Sequence, residues 1–163
     1  GHIALPLSVL GTMLNYKITI VDNRKELANK KRFPQIDQII LGPHAHELAK
    51  MNINANTMVM IVTQGNEFDY ECLKTVIQSE AKYIGVISSK AKRIKFEKRL
   101  KDELNIGEEK FSRIHIPAGI DIGAQTPEEI AVSIMAEIIA VKNRELLGTE
   151  KFKERDQQSV SPI

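Results

Sequence analysis

Short β-branched runs alternate with helical segments along most of this chain, and no other feature limits the possible folds as tightly. Residues 17–22 (KITIVD), 37–41 (DQIIL), 57–63 (TMVMIVT), 83–89 (YIGVISS) and 113–117 (RIHIP) read as strands. Residues 68–79 have helical spacing through Leu73, Val76 and Ile77, and residues 90–104 carry Phe96, Leu100 and Leu104 every four positions. The opening residues show the same periodicity at Leu7, Leu10 and Leu14. Such alternation predicts a doubly wound parallel sheet covered by helices on both faces, a three-layer α/β/α arrangement. The nearly unbroken apolar run at 57–63 is expected to be buried on both faces.

The last helix has the best-specified start. Thr126 suits the N-cap, Pro127 the first helical position, and Glu129 completes a capping box three residues after the cap. Ile130, Ile134 and Ile138 then recur every four residues and give one wide apolar face. Ahead of it, Gly119, Asp121 and Gly123 form a short loop aimed at the helix N-terminus, where backbone N–H groups meet ligands.

The remaining composition excludes several classes. A chain of 163 residues makes one domain, able to bury roughly two thirds of its unfolded surface. With 23 basic against 21 acidic residues, a net charge of +2 provides no field for nucleic acid or membrane. Cys72 is the single cysteine, which rules out an internal disulfide framework and fits a reducing, cytoplasmic setting. No apolar run approaches a membrane span. Residues 1–148 read as the domain and 149–163 as a polar tail.

Gly1, a helix, and then a strand ending in Asp22 form the second half of a dinucleotide-binding βαβ unit. The acid falls about 20 positions after the glycine, the spacing that suits a ribose. An upstream strand with its first glycines is expected in the parent protein, so the sheet in this chain should lack its first, central strand.

With Gly1-His2, the Asp22-Asn23-Arg24 turn, Thr63-Gln64-Gly65-Asn66 with Asp69, Tyr83-Ile84-Gly85 leading to Ser88-Ser89-Lys90, and Gly119-Ile120-Asp121-Ile122-Gly123-Ala124 before Thr126-Pro127-Glu128-Glu129, the chain resembles the XdhC/CoxI family. These are accessory proteins of molybdenum hydroxylases such as xanthine dehydrogenase, and the likeness covers residues 1–145, corresponding to the family's C-terminal Rossmann-like domain. The resemblance implies a maturation factor that holds a molybdopterin-type molybdenum cofactor, including its dinucleotide form, and passes it to an apo molybdenum hydroxylase. A cysteine desulfurase is the further partner it implies. The chain departs from the family pattern at Gln64 and Asn66, where arginine and histidine are common, and at Ser88-Ser89-Lys90, where Gly-Ser-Arg is common.

Ligands of doubly wound sheets bind outside the carboxyl ends of the strands, and the candidate residues all fall there. Gly1 and His2 open the first helix; His2 either faces the cofactor or simply sits at a helix terminus. Asp22 either accepts from a ribose or caps its turn, with Asn23 beside it. Arg24 and Lys90 are candidates for phosphate. Ser88 and Ser89 either donate to phosphate or cap the next helix. Thr63, Gln64, Gly65 and Asn66, with Asp121, Gly123 and Thr126, would shape the rest of the cleft, and Asp121 equally suits an Asx turn. His44, His46 and Glu47 lie in a Gly-Pro turn without a second ligand cluster, so no metal site is assigned. The basic run from Lys90 to Lys101 reads as a solvated face or a docking surface for an acidic partner.

No nucleophile with an adjacent base stands out, and no pair of carboxylates has a distinctive spacing. The reading is therefore a binding and delivery protein. Two alternatives are an NAD(P)-binding oxidoreductase domain and a homodimerisation module whose isoleucine face, residues 130–139, packs between subunits.

Overall fold

The computed structural model describes residues 1–144. The tail expected at 149–163 and the domain boundary at 148 lie outside the described residues. Helix α1 (Ala4–Met13) leads into β1 (Thr19–Asp22), then β2 (Gln38–Leu41), α2 (His44–Lys50) and β3 (Met58–Ile61). There follow α3 (Asn66–Val76), β4 (Tyr83–Val86), α4 (Lys90–Leu104), the single turn α5 (Glu108–Phe111), β5 (Ile114–His115) and α6 (Pro127–Lys142).

Every strand pairing is parallel, as the alternation predicts. β1 pairs with β2 in the register Thr19↔Gln38, β3 with β4 as Met58↔Tyr83, and β4 with β5 as Ile84↔Ile114. β1 and β3 are not paired with each other, so the strands form two small sheets. Between them lies a cavity of about 230 Å³ lined by β1, by β3 and by Ala28, Phe33 and Cys72. In a doubly wound sheet the first strand runs between the two strands that β1 and β3 represent. The order observed is that of a Rossmann sheet without this first strand.

Side chains alternate along β4 with period two. Ile84 and Val86 join α3 and α4 in one core with Leu73, Val76, Phe96 and Leu100. Tyr83 and Ile87 face the other way, toward α6 and α1, with Ile134, Met135 and Leu7. β4 is buried throughout, as a central strand covered on both faces should be. β3 is not: Val59 and Ile61 are buried, but Met58 and Met60 are only half covered. The expectation of burial on both faces fails there because β3 has a strand neighbour on one side and the cavity on the other.

The isoleucine face of α6 packs inside the chain. Ile134 is fully buried and Ile138 nearly so, against Tyr83 and helix α1. This face is core, so it is not free to join subunits. Cys72 is buried as a small apolar residue, with burial pushing its thiol up to about 12. His44, His46 and Glu47 all lie in α2 instead of in the preceding turn. Among the described residues no helix is long and apolar enough to cross a membrane.

Candidate functional site

Arg24, after β1, and Gln64, after β3, meet each other, so the site starts from the loops at the carboxyl ends of these two strands. The turn after β1 folds Arg24 back onto Asp22. Arg24 Nε donates to Asp22 Oδ1 at 2.9 Å and Nη2 to Oδ2 at 2.7 Å, and the Arg24 backbone N–H also reaches Oδ1 at 3.0 Å. Burial alone would raise this carboxyl, but these bonds from Arg24 outweigh it and hold Asp22 below the usual carboxylate range. The remaining Arg24 nitrogen, Nη1, donates to Gln64 Oε1 at 3.0 Å. One guanidinium thus ties the loop after β1 to the loop after β3. Asn23, between the paired residues, is exposed.

Gly1, Asp22 and Thr63 line that same cavity. The Gly1 carbonyl accepts from Arg32 Nη2 at 3.1 Å, while His2 is exposed. Thr63 donates its hydroxyl to Asp69 Oδ1 at 2.6 Å. Asp69 is 4% exposed, and burial raises its carboxyl despite the Thr63 hydroxyl and the more distant Lys92 and His44. Gly65 sits at the N-cap of α3 with no side-chain cap, and Asn66 is the first, exposed residue of that helix.

After β4, Ser89 caps α4 by accepting from the Lys92 backbone N–H. Ser88 Oγ is buried and has no hydrogen-bond partner. An unpaired buried hydroxyl is costly, and it stands here immediately before the N-terminus of a 15-residue helix. Lys90 is exposed at the start of that helix.

The loop after β5 is fastened to α6. Gly119 has φ +102°, and a Cβ there would meet Ser133 Oγ and the Ile134 backbone nitrogen, so only glycine fits. Asp121 makes the expected Asx turn, accepting from Gly123 N–H at 3.3 Å. Thr126 and Glu129 form the capping box, and Glu129 also accepts from Gln125 N–H at 2.8 Å. Ser88, Lys90 and this loop do not line the cavity. The structure thus joins Asp22, Arg24 and Gln64 directly, places Gly1 and Thr63 on the same cavity, and ties Asp121, Gly123 and Thr126 to α6 instead.

Sequence reasoning gave no site role to Asp69, His44 or Arg32. His44 lines the cavity, and its charge, when present, would act on both Asp22 and Asp69. The signal for Asp69 was available, since it is an acid on the otherwise buried face of α3 with Tyr70, Cys72 and Leu73. Among the described residues no group of three or more His, Cys, Asp or Glu side chains is placed to hold a metal ion.

The sequence profile of the XdhC Rossmann domain matches residues 1–138. The uncharacterized protein YqeB of Escherichia coli K12 is 31% identical over 147 residues, covering 88% of this chain and 26% of its own length. A protein of Bacillus subtilis described as a probable xanthine dehydrogenase component is 29% identical over 140 residues, covering 86% of this chain and 40% of its own. A crystal structure described as a xanthine dehydrogenase from Bacillus halodurans superposes with a TM-score of 0.76 at 29% identity, over 92% of this chain and 43% of that one. The chain spans well under half the length of each of these relatives.

Proposed function

The chain belongs to the XdhC Rossmann-domain family, and from that premise we propose that it is the cofactor-holding part of an accessory factor for a molybdenum hydroxylase of the xanthine dehydrogenase type. The names of two relatives support the hydroxylase connection. The ligand we propose is a molybdopterin-type cofactor, held by its phosphate end and released to the apo-hydroxylase.

The residues present fit a phosphate. Ser88 supplies a buried hydroxyl with no protein partner, at the positive end of α4. Lys90 adds an exposed cation at the same helix start. Arg24 is already fixed in place by Asp22, so little side-chain freedom is lost when an anion meets it. The observation that carries the reading is this Asp22–Arg24–Gln64 clasp, which joins the loops at the carboxyl ends of β1 and β3. With both carboxylate oxygens turned to Arg24, Asp22 has less to offer a ribose diol than its spacing suggests. The clasp occupies both partners, and the second hydrogens on Nη1 and Nη2 are what Arg24 still offers an anion.

When bound, the cofactor supplies the metal-dithiolene group on which a hydroxylase depends. This chain's residues bind and orient it. In this reading Thr63, Gln64, Gly65 and Asn66, after β3, would border one side of the cleft, and Asp121, Gly123 and Thr126, in the loop at the carboxyl end of β5, the other; Gly1 and His2 lie ahead of α1.

The test is the double variant Arg24→Ala with Lys90→Ala, assayed for retention of molybdopterin. Loss of two charge-assisted contacts should weaken binding by at least about tenfold. Unchanged retention would remove both residues from the site. Retention of a nicotinamide dinucleotide in place of molybdopterin would favour the NAD(P)-binding alternative.

A further inference from the structure

Helix α6 turns an apolar face to the sheet, and one acid interrupts it. Glu137 lies between Met135 and Ile138, both of which are buried. Its carboxylate is approached from three elements. Tyr83 of β4 donates its hydroxyl to Oε2 at 2.7 Å, and the Gly119 backbone N–H donates to the same oxygen at 2.8 Å. His115 of β5 places Nδ1 2.9 Å from Oε1, and its ring stacks on Tyr83 with centroids 4.4 Å apart. Burying a carboxylate is unfavourable, and an apolar side chain here would avoid that cost. What the carboxylate adds is a fixed acceptor for the backbone of Gly119.

Gly119 is where the loop after β5 presses onto α6, and Ile120 N–H continues the contact by donating to the Ser133 carbonyl at 3.2 Å. About two turns nearer the helix start, Glu129 accepts from Gln125 N–H and Thr126 N–H at 2.8 and 3.0 Å. One helix therefore grips both ends of the loop with carboxylates, Glu137 at the entry and Glu129 at the exit. Between the grips, Asp121, Ile122 and Gly123 are exposed.

We infer that Glu137 is a positioning residue that sets where residues 119–125 stand against the cofactor cleft. This rests on the function proposed for the cleft. Glu137 touches no ligand itself; it acts through Gly119, with Tyr83 and His115 fixing its orientation.

The experiment compares the full chain loaded with molybdopterin against Glu137→Gln and Tyr83→Phe. It measures the release rate of the cofactor, amide exchange through residues 119–126, and melting temperature. In Glu137→Gln the loop amides should exchange faster and the cofactor should leave about tenfold faster. Tyr83→Phe keeps the buried ring but removes one donor, so it should shift both readouts in the same direction by less. It carries the test if Glu137→Gln fails to fold. Faster loop exchange with unchanged release, or a lower melting temperature with neither changed, would overturn the inference and leave Glu137 a packing residue. If the wild-type chain holds no molybdopterin, the proposed function fails, and the exchange comparison still decides whether Glu137 fixes the loop.

Discussion

Arg24 and Asp22 are two positions apart, and their side chains close on each other before they meet anything else. Spacing from Gly1 picks out Asp22, but sequence alone treats the acid and the base as separate ligand contacts. Only the turn geometry reveals that one satisfies the other. Asp22 and Asp69 should titrate in opposite directions, and the sign follows from their surroundings. Arg24 holds Asp22 below the ordinary carboxylate value, so its contribution to stability is complete above that value and disappears as pH falls through its folded pKa. Burial holds Asp69 above it, so the folded state gains there at acid pH and loses that gain as pH rises through the folded pKa. Carboxyl carbon titration by NMR should give a lower midpoint for Asp22 than for Asp69, and coincident midpoints would contradict the assignment. Asp69 and Glu137 could be picked out as acids on apolar helix faces, but their roles depend on Thr63, Tyr83, His115 and Gly119, which the fold brings to them.

Elements with strong local signals were legible almost to the residue. α4 occupies Lys90–Leu104 as its four-residue repeat requires, and it stops at Asn105, which adopts the left-handed conformation at φ 47°. α6 begins at Pro127 behind the predicted capping box. Removing that cap with Thr126→Ala should cost about 1 kcal/mol in urea unfolding. A loss near zero would mean that Glu129 alone holds the helix start. Leu100, fully buried between α4 and the sheet, should cost about 2–5 kcal/mol when replaced by alanine. Short elements were not legible. α2 has seven residues and α5 four, too few for an apolar repeat to show. The strands are shorter than their apolar runs, since residues such as Ser88 and Ser89 already belong to the entry of the next helix.

At the scale of the molecule, alternation along the sequence was enough to give parallel strands and helices on both faces. The half-motif at Gly1 pointed further, to a sheet lacking its first, central strand, and β1 and β3 do lie in separate sheets. The cavity between the two sheets is the slot that a central strand fills in a Rossmann sheet, and the cofactor's anionic end is placed beyond it, at the Asp22–Arg24–Gln64 clasp that joins the loops after β1 and β3. Family membership rests on residues 1–138, and the relatives, more than twice as long, carry further polypeptide whose chemistry is their own. In the function we propose, this Rossmann domain holds a molybdopterin-type cofactor for a hydroxylase. Native mass spectrometry of the full-length protein from molybdenum-replete cells, with the bound species released and identified, tests it most directly. A molybdopterin species should be released from the wild-type protein and be missing from the Arg24→Ala, Lys90→Ala variant. An intact nicotinamide dinucleotide, or no bound species at all, would contradict it.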